Sequence, residues 1–326
     1  MPDADFIFAL CNPGSERALK LEVAAMCLPW KSSYQRRGFV SFKLEEGIQE
    51  DSLIKQIACA RRLCRSVGKY GSRAEAASVL EGDGVKHVQY ARYHLKKMEG
   101  MDEGQPDPEV GDLVGTVVQL AGKEFWAGTH QHADGLSPDP AGDGGIELPE
   151  DAPSRAWLKL EEAVRFWGLD FSPGDIAIEL GCSPGGVVHA LLNYGVSVIG
   201  VDPARMDKVV AAKAVERREE LGPDGPAFYH CRKPAALVSK RDLGEGVRWF
   251  LSDMNQSPEV TLKECARIVT MAPSIRHVLI TLKLGELEAV ERKADWIRSL
   301  GELGFTDVRL QQLAVHNREF ALLGLR

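Results

Sequence analysis

The chain has 326 residues, 44% of them hydrophobic and 27% charged, with a formal net charge of −7. That balance is ordinary for a folded protein of two or three domains and argues against indiscriminate binding to nucleic acid, although a local basic face needs only a few residues. No apolar run approaches the roughly 18 residues of a membrane helix, the N-terminus lacks a basic start and a cleavage site, and the seven cysteines form no C-x-x-C pair, so the expectation is a cytoplasmic chain with no membrane, disulfide framework or metal.

Residues 6–10 (FIFAL) read as a strand and Cys11-Asn12-Pro13-Gly14 as a turn. Ser15 to Met26 has helical periodicity with Ser15 as N-cap. Gly38 to Lys43 alternates as a second strand. Strand, helix and strand over some forty residues suggest an α+β, ferredoxin-like module over 1–50. Ser52 to Lys69 combines an apolar face with Arg61, Arg62, Arg65 and Lys69. Lys86, His87, Arg92, His94, Lys96 and Lys97 are interleaved with Tyr90 and Tyr93. Cations beside aromatics suit phosphates and bases; a solvated helix face is the plain alternative.

Residues 99–112 read as a loop, and Thr116–Leu120 and Glu124–Thr129 as strands. His130 and His132 lack a third ligand at zinc spacing. Residues 133–153, rich in Asp, Gly and Pro, read as a linker and place a boundary near 150.

Beyond it, strands and helices alternate. The expected strands are Ile176–Leu180, Val196–Val201, Ala227–Cys231, Val247–Ser252 and His277–Lys283. The expected helices are Pro184–Tyr194, Ala204–Leu221, Glu259–Met271 and Glu286–Leu303. Val308–Leu313 and Glu319–Leu323 form a closing hairpin. Repeated strand–helix units imply a parallel, Rossmann-like α/β sheet covered on both faces, with an antiparallel edge.

In such a sheet ligands bind beyond the C-terminal strand ends, where Glu179, Asp202, Asp253 and Lys283 stand. The loop Gly181-Cys182-Ser183-Pro184-Gly185-Gly186 is not the G-x-G-x-x-G of dinucleotide enzymes. Pro184 near the helix start leaves fewer N–H donors for a pyrophosphate. A nucleoside without phosphates fits better, S-adenosylmethionine being the obvious one, with Asp202 placed to accept from ribose hydroxyls. Lys159 and Lys283 could each simply snorkel to solvent. Converging with Asp253 and Glu319, they could instead form a charge-balanced group that holds a lysine near neutral or orients a hydroxyl.

The segments SRAWLKLEEA, ELGCSPGG, LSDM, ITLKL and NREFALL together resemble the FtsJ-like family of RNA 2′-O-ribose methyltransferases. The resemblance covers residues 154–326 well and implies a Lys-Asp-Lys-Glu tetrad at Lys159, Asp253, Lys283 and Glu319. Lys283 is the expected base, with Asp253 and Lys159 positioning and Glu319 assisting. It also implies S-adenosylmethionine held by Ser154, Glu179, Gly181, Cys182, Ser183, Pro184, Gly185, Gly186, Asp202 and Asp253, and an RNA substrate, expected to be large-subunit ribosomal RNA. By the same resemblance residues 51–150 would be a THUMP-type RNA-binding module and linker, and 151–326 the methyltransferase domain. Arg61, Arg62, Arg65, Lys69, Arg232 and Lys233 are the expected RNA contacts. Where the family tends to carry an acid that reads adenine, this chain has Arg232 and Lys233. A catalytically idle RNA-binding protein is the alternative; a complete tetrad argues against it. A nicotinamide oxidoreductase is disfavoured by the loop and the two lysines.

Overall fold

Backbone amides from both halves of the chain are satisfied in two eight-stranded sheets. The computed structural model describes residues 6–44, 57–82, 84–101, 104, 106–222 and 225–326. The N-terminal sheet contains β1 (Phe6–Leu10), β2 (Trp30–Arg36), β3 (Phe39–Leu44), β4 (Arg62–Tyr70), β5 (Val85–His94), β6 (Lys97–Met101), β7 (Leu113–Ala121) and β8 (Glu124–Gln131). Their order is β2-β3-β1-β4-β8-β7-β5-β6. Since β4 pairs with β1, one sheet runs continuously across residue 50. The helix Glu16–Ala25 buries Leu19 and Val23.

The segment read as an apolar face with Arg61, Arg62, Arg65 and Lys69 lies outside the described residues over 51–56, and from Arg62 onward it is strand. The strand is stabilised by neighbours on both sides, β1 and β8, which supply hydrogen-bond partners that outweigh local propensity. Besides β4, three strands of this sheet went unread in the sequence. β2 is polar and largely exposed on both faces, so it shows no alternation. β5 and β6 form a hairpin turning at Leu95 and Lys96, both with positive φ.

The second sheet contains β9 (Ile176–Leu180), β10 (Ser197–Val201), β11 (Ala214–Val215), β12 (Phe228–Cys231), β13 (Val247–Ser252), β14 (His277–Lys283), β15 (Asp307–Gln311) and β16 (Glu319–Leu325). Its order is β11-β12-β10-β9-β13-β14-β16-β15. The strands run parallel until β16, which inserts antiparallel between β14 and β15. The chain leaves β9 for β10 on one side, and later fills β13 on the other, so a crevice opens beyond the ends of β9. One face packs the helices Ala156–Trp167 and Gly186–Asn193 through Leu160, Ala163, Val188 and Leu191 onto Ala177, Trp249 and Leu251. The opposite face carries Ile178, Phe250, Ile280 and Leu322 with Ile268 and Trp296 from the helices Pro258–Met271 and Lys293–Glu302. Among the described residues, no helix is long and apolar enough to cross a membrane.

The helix expected over 204–221 is instead a single turn at Lys208–Ala211, the short β11 and a 3₁₀ turn at Arg218–Glu220. Within those two turns only Val210 is buried, and a helix with no apolar stripe has no core to dock on. The helix expected over 286–303 begins as a 3₁₀ turn and becomes α-helical only at Lys293.

The halves are joined by buried polar contacts. Glu22, 1% exposed, accepts hydrogen bonds from the Ala58 and Cys59 amides at 2.7 and 2.8 Å and pairs with Lys293. Gln311 Nε2 donates to the carbonyls of Ala58 and Ala60 at 3.0 and 2.9 Å. The segment read as a linker also docks: Arg62 donates to the Ser137 and Asp139 carbonyls, and Arg165 binds the Asp139 carboxylate. Its Gly and Pro residues prevent regular structure, and its carbonyls bind an arginine in place of water.

Glu22→Ala would strand two buried amides and remove an ion pair between the halves. It is expected to cost about 3–5 kcal/mol in urea unfolding at neutral pH; a loss below about 1 kcal/mol would show that this junction is not holding the halves together.

Candidate active site

Antiparallel pairing of β14 with β16 sets Lys283 directly opposite Glu319. Asp253 follows the last residue of the neighbouring β13, its amide donating to the Leu180 carbonyl at 3.1 Å. Lys159 reaches the same point from the helix Ala156–Trp167, whose apolar stripe fixes which face looks inward. Four residues from three strand ends and one helix thus meet.

They close into a ring of alternating charge. Lys283 Nζ donates to Asp253 Oδ1 at 2.7 Å and to Glu319 Oε1 at 2.6 Å. Lys159 Nζ lies 3.0 Å from Asp253 Oδ2 and 3.1 Å from Glu319 Oε2. The four side chains are between 13% and 21% exposed, so they are reachable from the crevice but poorly screened by water. Burial alone would raise the Glu319 pKa, yet the hydrogen bond from Lys283 and the two lysine charges bring it to about 2. Burial alone would lower that of Lys283; the charge and hydrogen bond of Asp253, joined by Glu319, raise it above the usual lysine range. The sequence allowed a lysine held near neutral. The ring does the reverse and keeps Lys283 an ammonium ion, because two carboxylates touch the same nitrogen.

A small cavity adjoining the ring has mainly apolar walls, Leu160, Leu251 and Leu279 among them, into which Glu179, Ser252 and His316 bring polar groups. Glu179 is 2% exposed, and burial first, then Asp253 and Asp202, push its carboxyl well above the usual range. Among the described residues, Glu179 Oε2, Ser252 Oγ and His316 Nε2 have no hydrogen-bond partner. Buried groups of this kind call for a ligand or ordered water.

The glycine-rich loop flanks the crevice. Gly181 (φ 78°) and Gly185 (φ 117°) occupy left-handed backbone, which favours glycine. A Cβ on Gly186 would sit 2.4 Å from Ser154 Oγ, so this glycine lets the helix approach Ser154. Asp202 caps the end of β10, accepting from the Ser183 and Ala204 amides at 3.3 and 2.8 Å. Ser183 Oγ donates to the Arg205 carbonyl, and Pro184 accepts from the Asp207 amide. Cys182, expected in the cofactor set, turns its buried thiol toward Met206; only its backbone can face a ligand.

The expected RNA contacts divide. Arg61 and Arg62 are each 3% exposed. Arg61 donates to the Met98 carbonyl, and Arg62 to the carbonyls of Ser137 and Asp139 and to His130 Nε2. These two are internal cross-links, not an RNA face, because the turn into β4 and the first residue of that strand are covered by β6 and by the segment after β8. His130 uses its ring nitrogen on Arg62 and is held neutral by burial and that neighbouring charge. Arg65 is half-buried within β4. Lys69 is half-exposed, 3.2 Å from Glu124 and 5.1 Å from the Tyr34 ring centre. Arg232 is exposed; Lys233 pairs with Asp242 at 2.6 Å.

Sequence reading missed Glu162. It is 6% exposed and accepts from the Ala314 and Val315 amides at 2.7 Å each. Burial raises its pKa to about 7 against the pull of those amides. Its signal was present: Glu162 stands three residues after Lys159, hence on the same helix face.

Residues 152–290 match the family model described as FtsJ-like methyltransferase. A ribosomal RNA large subunit methyltransferase M from Azoarcus sp. (strain BH72) is 32% identical over 198 residues, covering 57% of this chain and 49% of that protein. One of the same name from Ectopseudomonas mendocina (strain ymp) is 37% identical over 221 residues, covering 63% of this chain and 57% of that protein. The chain spans about half the length of the curated relatives it matches. Among solved structures, a ribosomal RNA methyltransferase from Plasmodium falciparum is 17% identical with a TM-score of 0.38, covering 53% of this chain and 97% of that one.

The ring has a pH signature. Glu319 titrates near 2 when folded against an ordinary 4.5. Its stabilisation is therefore complete above pH 4.5 and is lost as pH falls toward 2, on the order of 2–3 kcal/mol. Unfolding by denaturant between pH 2 and 5 should show this loss in the wild type and a shallower one in Glu319→Gln; parallel curves would contradict the assignment.

Proposed function

We propose that this chain, whose residues 152–290 belong to the FtsJ-like methyltransferase family, transfers a methyl group from S-adenosylmethionine to a ribose 2′-hydroxyl of RNA, with large-subunit ribosomal RNA as its substrate. The observation that carries this reading is the Lys159-Asp253-Lys283-Glu319 ring, sited where a glycine-turned loop and a capped strand end adjoin a buried carboxyl with a free oxygen. The names of the relatives support the choice of RNA.

The residues fit the donor. Gly181 and Gly185 turn the backbone where a nucleoside would lie, the loop Gly181–Gly186 offers no lysine or arginine for a pyrophosphate, and Asp202 stands at the strand end where ribose hydroxyls are commonly held. Glu179 suits a cationic group, since a buried carboxyl regains its charge when a positive partner arrives. Bound there, S-adenosylmethionine supplies a methyl already activated by its sulfonium.

The chain's own residues align and deprotonate. Lys159 holds Asp253 and Glu319 in place, and these carboxylates orient Lys283. Lys283, its side chain 21% exposed, would receive the hydroxyl proton at Nζ, with S-adenosylmethionine supplying the methyl group. To act as base it must first shed its own proton to solvent. It does so more readily with a sulfonium charge nearby, since like charges disfavour each other. Alignment and a positioned base supply most of what a weak nucleophile needs. We assign residues 151–326 to this chemistry and the N-terminal sheet to holding RNA. Lys69 and Arg36 beside Tyr34 and Trp126 support that role.

Calorimetry should show binding of S-adenosylmethionine; binding of NAD in its place would overturn the reading. Lys283→Ala should lower methyl transfer to ribosomal RNA by roughly 10²–10⁴-fold while the cofactor dissociation constant stays within about twofold. Persistence of activity in that variant would remove Lys283 from the base role.

A further inference from the structure

The turn Cys11-Asn12-Pro13-Gly14 lies more than 300 residues from the loop that leads into β16, yet Asn12 is built into that loop. Asn12 is 5% exposed. Its Nδ2 donates to the Leu313 carbonyl at 2.8 Å and to the His316 carbonyl at 2.8 Å, which uses both protons of the amide group. From the other side, Glu162 takes the two intervening amides, Ala314 and Val315. The loop is tied internally as well: the Leu313 amide donates to His316 Nδ1 at 3.2 Å, so the His316 proton resides on Nε2, facing the cavity under the ring. Burial keeps this imidazole neutral, with a pKa of about 4. Three residues later the chain enters β16 with Glu319.

We infer that Asn12 is a positioning residue for methyl transfer: it fixes the path of residues 313–316 and thereby delivers Glu319 to Lys283, making the N-terminal half part of the active site. Glu162 does the same from the helix that carries Lys159, so the loop is gripped between the two halves. The side chain that grips it from the N-terminal half donates only to carbonyls, and no apolar replacement can reproduce that. Without it the His316 carbonyl loses its side-chain donor and the Leu313 carbonyl is left with the His316 amide at 3.0 Å, so the loop gains freedom to move. A looser Glu319 also stabilises the Lys283 ammonium less, so Lys283 loses its proton at lower pH.

The inference rests on the proposed activity, and the test separates the two. Wild type, Asn12→Ala, Asn12→Ser and, as a control, Val23→Ala are compared below their melting temperatures. Val23 is buried under the N-terminal sheet. The measurements are kcat as a function of pH, KM for RNA and the dissociation constant for S-adenosylmethionine. Asn12→Ala should lower kcat about tenfold or more, shift the midpoint of the pH–rate profile to lower pH and leave cofactor affinity within about twofold. Asn12→Ser, retaining one donor, should fall between and serves alone if the alanine variant does not fold. Val23→Ala should lose stability without changing kcat or the midpoint. Wild-type kcat and midpoint in the folded Asn12 variants would overturn the inference, as would an equal kcat loss in Val23→Ala. A wild-type chain that binds S-adenosylmethionine but methylates no RNA would instead defeat the functional reading, and this inference with it.

Discussion

Two ammonium groups and two carboxylates share one half-buried cleft, and each depends on the other three. Their mutual contacts at 2.6 to 3.2 Å are what make it affordable to hold four charges in a poorly hydrated site. Removing any one leaves an unbalanced charge. This constraint explains the order of the sheet's last strands. β16 must insert beside β14 in antiparallel register, because only that pairing sets Glu319 against Lys283 while Asp253 approaches from β13.

The same ring sets the terms of the chemistry. It stores a proton on Lys283 and does not offer a free amine. Burial is the largest single influence and favours the free amine, but the charges and hydrogen bonds of Asp253 and Glu319 together outweigh it. In the proposed reaction, a change of charge at the site on assembly of the reactants is what would release that proton. A protonated Lys283 has a structural advantage as well, since it balances both carboxylates before any ligand arrives.

The junction between the halves obeys a related logic. Gln311 donates to carbonyls of the N-terminal half, Asn12 donates to carbonyls of the C-terminal half, and buried Glu22 pairs across the boundary with Lys293. Such contacts are directional, so they specify how one half sits on the other more sharply than apolar packing does. Two arginines that look like RNA contacts in the sequence are here bound to backbone carbonyls, Arg61 to one in β6 and Arg62 to two in the irregular segment after β8. A run of cations says nothing about which of them faces solvent until the strand that carries them has been paired.

Much of the second half was legible from the chain alone. Val247–Ser252 and His277–Lys283 stand where the apolar runs placed them, because a strand buried on both faces must be nearly continuously apolar. The loop 181–186 and the acids at the strand ends followed from the same pattern. The polar β2 and the broken segment over 204–221 did not, since their state depends on neighbours and not on their own periodicity. Sequence alone determined which residue types stand at the ends of the buried strands, because burial dictates the spacing of apolar residues. Only the tertiary structure decided that Lys283 is charged, that Arg61 and Arg62 are internal, and that Asn12 reaches the loop before β16. Each of these is settled by what approaches a side chain from a distant part of the chain, which no local pattern encodes.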